Sequence, residues 1–118
     1  MQDKIKHPSE LEIQNLIKLY QDDQLDEAEK ISLLLTKKFP LHQLAWKILG
    51  IILKKKGRIK EALIINKKIV EINPKDVEAL YNLGNTFKAL YRFEEAKTNY
   101  KIAIKLQPEH FRALNNLG

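Results

Sequence analysis

Apolar residues recur along this chain at spacings of three and four, the period of a helix that buries one stripe of its surface. In VEALYNLGNTFKAL (77–90) the stripe is Leu80, Leu83, Gly84 and Phe87. In FEEAKTNYKIAIKL (93–106) it is Phe93, Ala96, Tyr100, Ala103 and Ile104. Tyr20 and the Phe residues fall at core spacing as well. Asn73-Pro74 and Gln107-Pro108 stop the second helix of each pair, because proline lacks the amide proton that a helix interior needs. Asp76 is placed to cap the helix that follows. At the other end of the chain, Ser9 with Glu12 three residues on forms a capping box.

The stripes repeat every 34 residues. AWKILG (45–50), ALYNLG (79–84) and ALNNLG (113–118) are one phrase at one interval. Trp46, Leu80 and Leu114 align, as do Leu49, Leu83 and Leu117, and Gly50, Gly84 and Gly118. Later in the unit come Ala28, Ala62 and Ala96, then Pro40, Pro74 and Pro108. Each unit reads as a helical hairpin that cannot bury its apolar stripe alone, so stacked copies are expected. Gly84 and Ala96 are the expected points of close approach within one hairpin. Trp46 lies in a core column. The turn of the second hairpin carries Gly57, and the third carries Tyr91 at the same place. Either that turn is strained or it uses another geometry.

In these columns the chain resembles the tetratricopeptide repeat family. Residues 77–110 match it through Leu80, Leu83, Gly84, Phe87, Ala96, Tyr100, Ala103 and Pro108. Residues 43–76 match through Trp46, Leu49, Gly50, Leu53, Ala62 and Pro74 and depart at Asn66 and Ile69. Residues 9–42 keep Leu19, Ala28, Leu35 and Pro40 but depart at Glu12, Asn15 and Leu16, as suits a degenerate terminal unit. The resemblance implies an all-α fold, a right-handed superhelical solenoid. Its organisation would be a tail at 1–8, repeats at 9–42, 43–76 and 77–110, and the start of a truncated fourth at 111–118.

Composition narrows the chemistry. The 118 residues include no cysteine, which excludes disulfides, thiolate metal sites and a cysteine nucleophile. His7, His42 and His110 share no metal-ligand spacing; His42 and His110 read as turn residues. Ser9 reads as a cap, and Ser32 has no histidine near it in sequence. No glycines cluster into a phosphate loop. Glu94 and Glu95 are adjacent on a helix, so they point apart and read as a solvated face. No catalytic residue, cofactor or metal is expected, and the chain is not expected to be an enzyme. Its longest apolar run, Ile48 to Leu53, is far short of the roughly 20 residues of a membrane span. With a polar N-terminus, this predicts a cytoplasmic protein.

The net charge of +6 is concentrated in residues 50–75, with the flanks near balance. KKKGRIK (54–60) spans a turn without interleaved aromatics, so a solvated turn or an acidic protein partner fits better than nucleic acid.

The resemblance also implies a binding groove, lined by the first helix of each repeat. The face positions that stand out are Lys47, Ile48, Ile51, Tyr81, Asn82, Asn85, Lys88, Arg112, Asn115 and Asn116. Asn82 and Asn116 are one repeat apart, and an amide offers both donor and acceptor to a peptide backbone. They resemble the asparagine ladder of arrays on protein-modifying glycosyltransferases. Leu44, Ile48 and Ile51 form an apolar patch. A carboxylate clamp is not expected: Lys47 fits its first place, but Ile51 stands where it needs asparagine. The expected function is therefore a scaffold that binds a peptide or partner protein. Two alternatives are a substrate-recruiting module of a larger glycosyltransferase, sulfotransferase or hydroxylase, and self-assembly through an uncapped C-terminal end. The stop at Gly118, inside a repeat, is expected to mark a piece of something longer.

Overall fold

The structure is a computed structural model and describes residues 7–118. Of the expected N-terminal tail, residues 1–6 lie outside the described part. Seven helices follow in order: α1 Glu10–Gln21, α2 Leu25–Lys38, α3 Gln43–Lys55, α4 Ile59–Ile72, α5 Val77–Ala89, α6 Phe93–Leu106 and α7 Phe111–Leu117. Every described residue outside them is in a turn, a bend or irregular backbone.

Two kinds of turn alternate, and each repeats at 34 residues. The turns after α1, α3 and α5 place Asp23, Gly57 and Tyr91 in the left-handed region, with φ of 61°, 78° and 61°. In each, the next amide reaches back to close the helix: Gln24 to Leu19, Arg58 to Leu53 and Arg92 to Phe87, all at 2.9 Å. Tyr91 therefore adopts the geometry that glycine provides at position 57. The turns after α2, α4 and α6 carry Pro40, Pro74 and Pro108 and close with His42 to Phe39, Asp76 to Asn73 and His110 to Gln107.

The caps follow from local chemistry. The Ser9 hydroxyl accepts from the Glu12 amide, and the Glu12 carboxylate accepts from the Ser9 amide. Asp76 accepts from the Ala79 amide at 3.1 Å. His110 does the same with Nδ1, accepting from Ala113 at 3.1 Å. It is 4% exposed, so it is a buried cap rather than a simple turn residue. His42 precedes α3 without making such a bond, and its buried Nδ1 has no hydrogen-bond partner among the described residues.

The chain divides into two compact units, one up to Arg58 and one from Ile59. In the first, Leu16, Ala28, Leu35, Phe39, Ala45, Ile48 and Ile52 form the core. Trp46 departs from the expected core position: it is half-buried, with its indole N–H donating to the Pro40 carbonyl at 2.9 Å. In the second unit the core is Leu63, Leu80, Leu83, Phe87, Ala96, Tyr100, Ala103 and Ala113. Gly84 meets the ring of Tyr100 on the facing helix. A Cβ on Gly84 would lie 2.6 Å from Cε1 of the tyrosine ring. Phe93, expected in the core, is 56% exposed and packs edge-on against Tyr91 at 6.0 Å. Phe111 is likewise exposed. Both begin their helices.

Candidate functional site

In the first unit, α1 and α3 carry the face residues. Ile17, Tyr20, Ile48 and Ile51 enclose an apolar pocket of about 70 Å³. Ile48 is its buried floor and belongs to the unit's core, while Ile51 stands half-exposed at its edge. Lys47 is half-buried and Leu44 exposed. A second, larger hollow of about 530 Å³ lies between α1 and α2, with Leu19, Ile31, Leu34 and Leu35 along it and Glu12 and Lys38 at its edge.

The basic turn of this unit is not a freely solvated one. Lys56 Nζ lies 2.6 Å from Asp26 and 2.8 Å from Glu29, and Arg58 lies 2.7 Å from Glu29. Lys55 reaches Asp23 at 3.6 Å and sits over the Tyr20 ring. The acidic residues at the start of α2 thus neutralise the cations that follow α3. The Lys56 hydrogen bond holds the Glu29 carboxyl below the usual range; burial opposes this, and Arg58 reinforces it. Sequence spacing gave no signal of this pairing, which joins residues about 30 positions apart.

In the second unit the amides are drawn into one network. Asn85 Oδ1 accepts from the Tyr100 hydroxyl at 2.6 Å and from Asn116 Nδ2 at 2.9 Å. Asn116 also lies 3.4 Å from the Tyr81 hydroxyl. Burial pushes the Tyr100 phenol upward, so it stays protonated and donates. Of the asparagines that stand out on this face, Asn85 and Asn116 are joined directly. Asn82, Lys88 and Asn115 are exposed. Arg112 stacks on Tyr81 with its guanidinium carbon 4.8 Å from the ring centroid and bonds Glu78 at 2.8 Å. Glu78 also meets His110 Nε2 at 2.8 Å. Burial raises the Glu78 carboxyl, but His110 and Arg112 outweigh it and hold it low. With Nδ1 accepting from Ala113, the bond to Glu78 requires the proton on Nε2.

The arrangement offers amides, cations and apolar hollows suited to contacts with another chain. Among the described residues no group of His, Asp and Glu could hold a metal ion. No helix among them is long and apolar enough to cross a membrane.

Comparison with known proteins gives these features a context. Residues 66–98 match a family model described as a tetratricopeptide repeat. A 49-residue stretch is 43% identical to the human protein O-mannosyl-transferase TMTC1, covering 42% of this chain and 6% of that protein. Among solved structures, the first tetratricopeptide domain of Spaghetti (RPAP3), bound to an HSP90 peptide, superposes with a TM-score of 0.83 at 22% identity, covering 96% of this chain and 92% of that one. The Yersinia enterocolitica secretion chaperone SycD, in complex with a peptide of YopD, gives 0.84 at 15% identity, covering 92% and 88%. YrrB, a tetratricopeptide protein with an unusual peptide-binding site, gives 0.75 at 26% identity, covering 85% and 52%. Residues 66–98 are a tetratricopeptide repeat, and the chain that carries them has the all-α helical-repeat solenoid fold of the tetratricopeptide-repeat proteins.

Proposed function

We propose that this chain is a protein-interaction scaffold that holds an extended peptide or partner segment against the first helices of its repeats. The repeats would be 9–42, 43–76, 77–110 and the beginning at 111–118. The observation that carries this reading is the fold shared with the Spaghetti domain, which was solved with a peptide bound. In the first unit the contacts would come from Lys47, Ile48 and Ile51. In the second they would come from Tyr81, Asn82, Asn85, Lys88, Arg112, Asn115 and Asn116. Asn82, Lys88 and Asn115 are exposed and free to meet a backbone, whereas Asn85 and Asn116 act from within their own network. A cytoplasmic setting is part of the proposal.

Selection of binders from a random-peptide display library, followed by calorimetry on the selected peptides, tests it. Joint alanine substitution of Asn82, Lys88 and Asn115 should weaken binding by about tenfold, equivalent to roughly 1.4 kcal/mol, with helicity unchanged. The same treatment of Glu94, Lys101 and Lys105 should leave affinity as it was. Equal affinities for both triple variants would overturn the reading.

The likeness to the O-mannosyl-transferase favours a second reading, a substrate-recruiting module of a larger transferase. A transferase domain encoded downstream of Gly118 would support it, and a stop codon there would sink it.

A further inference from the structure

We infer that the hollow between α1 and α2 is the interface of a two-fold dimer, filled by α1 of a second copy of this chain running antiparallel to the first. None of its residues belongs to the face proposed above to hold a peptide.

The repeat marks this face as one that is covered. Leu11 stands in the column of Ala45, Ala79 and Ala113. Those alanines are 0%, 4% and 0% exposed, and the preceding helix packs alongside each of their helices: α2 on α3, α4 on α5 and α6 on α7. Leu11, the largest residue of the column, is 64% exposed. It lies one turn before Asn15, which lines the hollow. Leu34, on the α2 wall, is 56% exposed. With Leu19, Ile31 and Leu35 it gives the hollow, of about 530 Å³, an apolar floor suited to a packed helix.

Charge selects a second copy as the occupant. Leu11, Asn15, Lys18 and Asp22 follow one another at helical spacing, with Glu12 and Leu19 beside them. When two copies of α1 cross antiparallel at Asn15, Leu11 falls opposite Leu19 and Glu12 opposite Lys18, each twice by symmetry. The two Asn15 amides meet on the axis, each offering a donor and an acceptor. Glu12 holds Lys38 at 3.4 Å, and Lys18 holds Asp22 at 3.3 Å. Each pair of one copy therefore meets the other pair of its mate with signs opposed, Glu12 to Lys18 and Lys38 to Asp22. All four are engaged within their own chain, but an ammonium has three donors and a carboxylate about four acceptor sites. The neighbouring charges cancel: Glu27 pairs with Lys30 at 3.4 Å, Asp23 with Lys55 at 3.6 Å, and Glu10 and Lys37 are one of each sign. A partner helix with charges of one sign would meet like charge at both ends of the hollow.

Sedimentation velocity on the full chain, from about 1 μM to 1 mM, tests this. Monomer should give way to dimer with no larger species, because a two-fold contact closes on itself. Leu34→Lys should weaken the dimer by about tenfold or more, since it places an ammonium on the apolar floor. Phe111→Lys, at an exposed residue of α7, should leave it unchanged. Asp22→Lys and Lys38→Glu should each weaken self-association by about tenfold, and mixing the two should restore it by setting opposite charges face to face again. A misfolded variant could not be rescued by mixing. Monomer at every concentration overturns the inference and leaves the hollow to residues 1–6 or to another protein. A dimer that Phe111→Lys dissolves and Leu34→Lys spares also overturns it, as does failure of the mixture to recover.

Discussion

Tyr91 is the residue at which backbone and side chain disagree. Its φ of 61° is the conformation in which an L side chain crowds the carbonyl oxygen, and glycine escapes that cost. The ring gains little burial in return: it is 80% exposed and packs edge-on against Phe93, itself an exposed residue. The next amide still closes the helix onto Phe87, so the turn is kept at the expense of the residue. Tyr91→Gly is therefore expected to stabilise the chain by about 1 kcal/mol. Asp23→Gly should gain less, because Asp tolerates this region better. Urea midpoints of the two variants against the parent measure both effects. Of the two alternatives that the sequence left open for this turn, the geometry is the ordinary one and the residue bears the strain.

Between elements, the ion pairs that join the start of α2 to the turn after α3 set a pH dependence. Glu29 is the shared acceptor of Lys56 and Arg58. Its folded carboxyl titrates below its usual value, so the pairing contributes stability that is fully present above the unfolded value, about 4.3. That contribution disappears as pH falls from there through the lower folded value. Glu29→Gln should accordingly be less stable than the parent at pH 7, and the two should converge as pH drops below about 4. Urea unfolding at a series of pH values reads this directly. A constant gap across the acid range would mean that packing, not charge, carries the difference. The same pairs explain why KKKGRIK is a weak candidate for binding phosphate: Lys55, Lys56 and Arg58 all have acidic neighbours within the chain.

At the scale of the whole molecule, each unit has its own core, and protection should follow burial. Hydrogen exchange should be slowest in the middle of α6, around Tyr100 and Ala103, which are almost wholly buried between α5 and α7. It should be fastest in α7, a seven-residue helix with exposed Phe111 at its start. Slow exchange throughout α7 would contradict this ordering. The sequence by itself determined the helices, their ends and their 34-residue period. Local rules govern these: apolar spacing, capping side chains and prolines act within a few residues of where they stand. It also marked the core columns at Leu80, Leu83, Ala96 and Tyr100, since a repeated hairpin must bury the same stripe each time. Only the tertiary structure decided which residues meet across helices. Tyr100 fills the space above Gly84, Asn85 meets Asn116, and Ile48 lies beneath the surface that Ile51 borders. These choices depend on the angle and distance at which two helices cross, and periodicity along one chain carries no information about either.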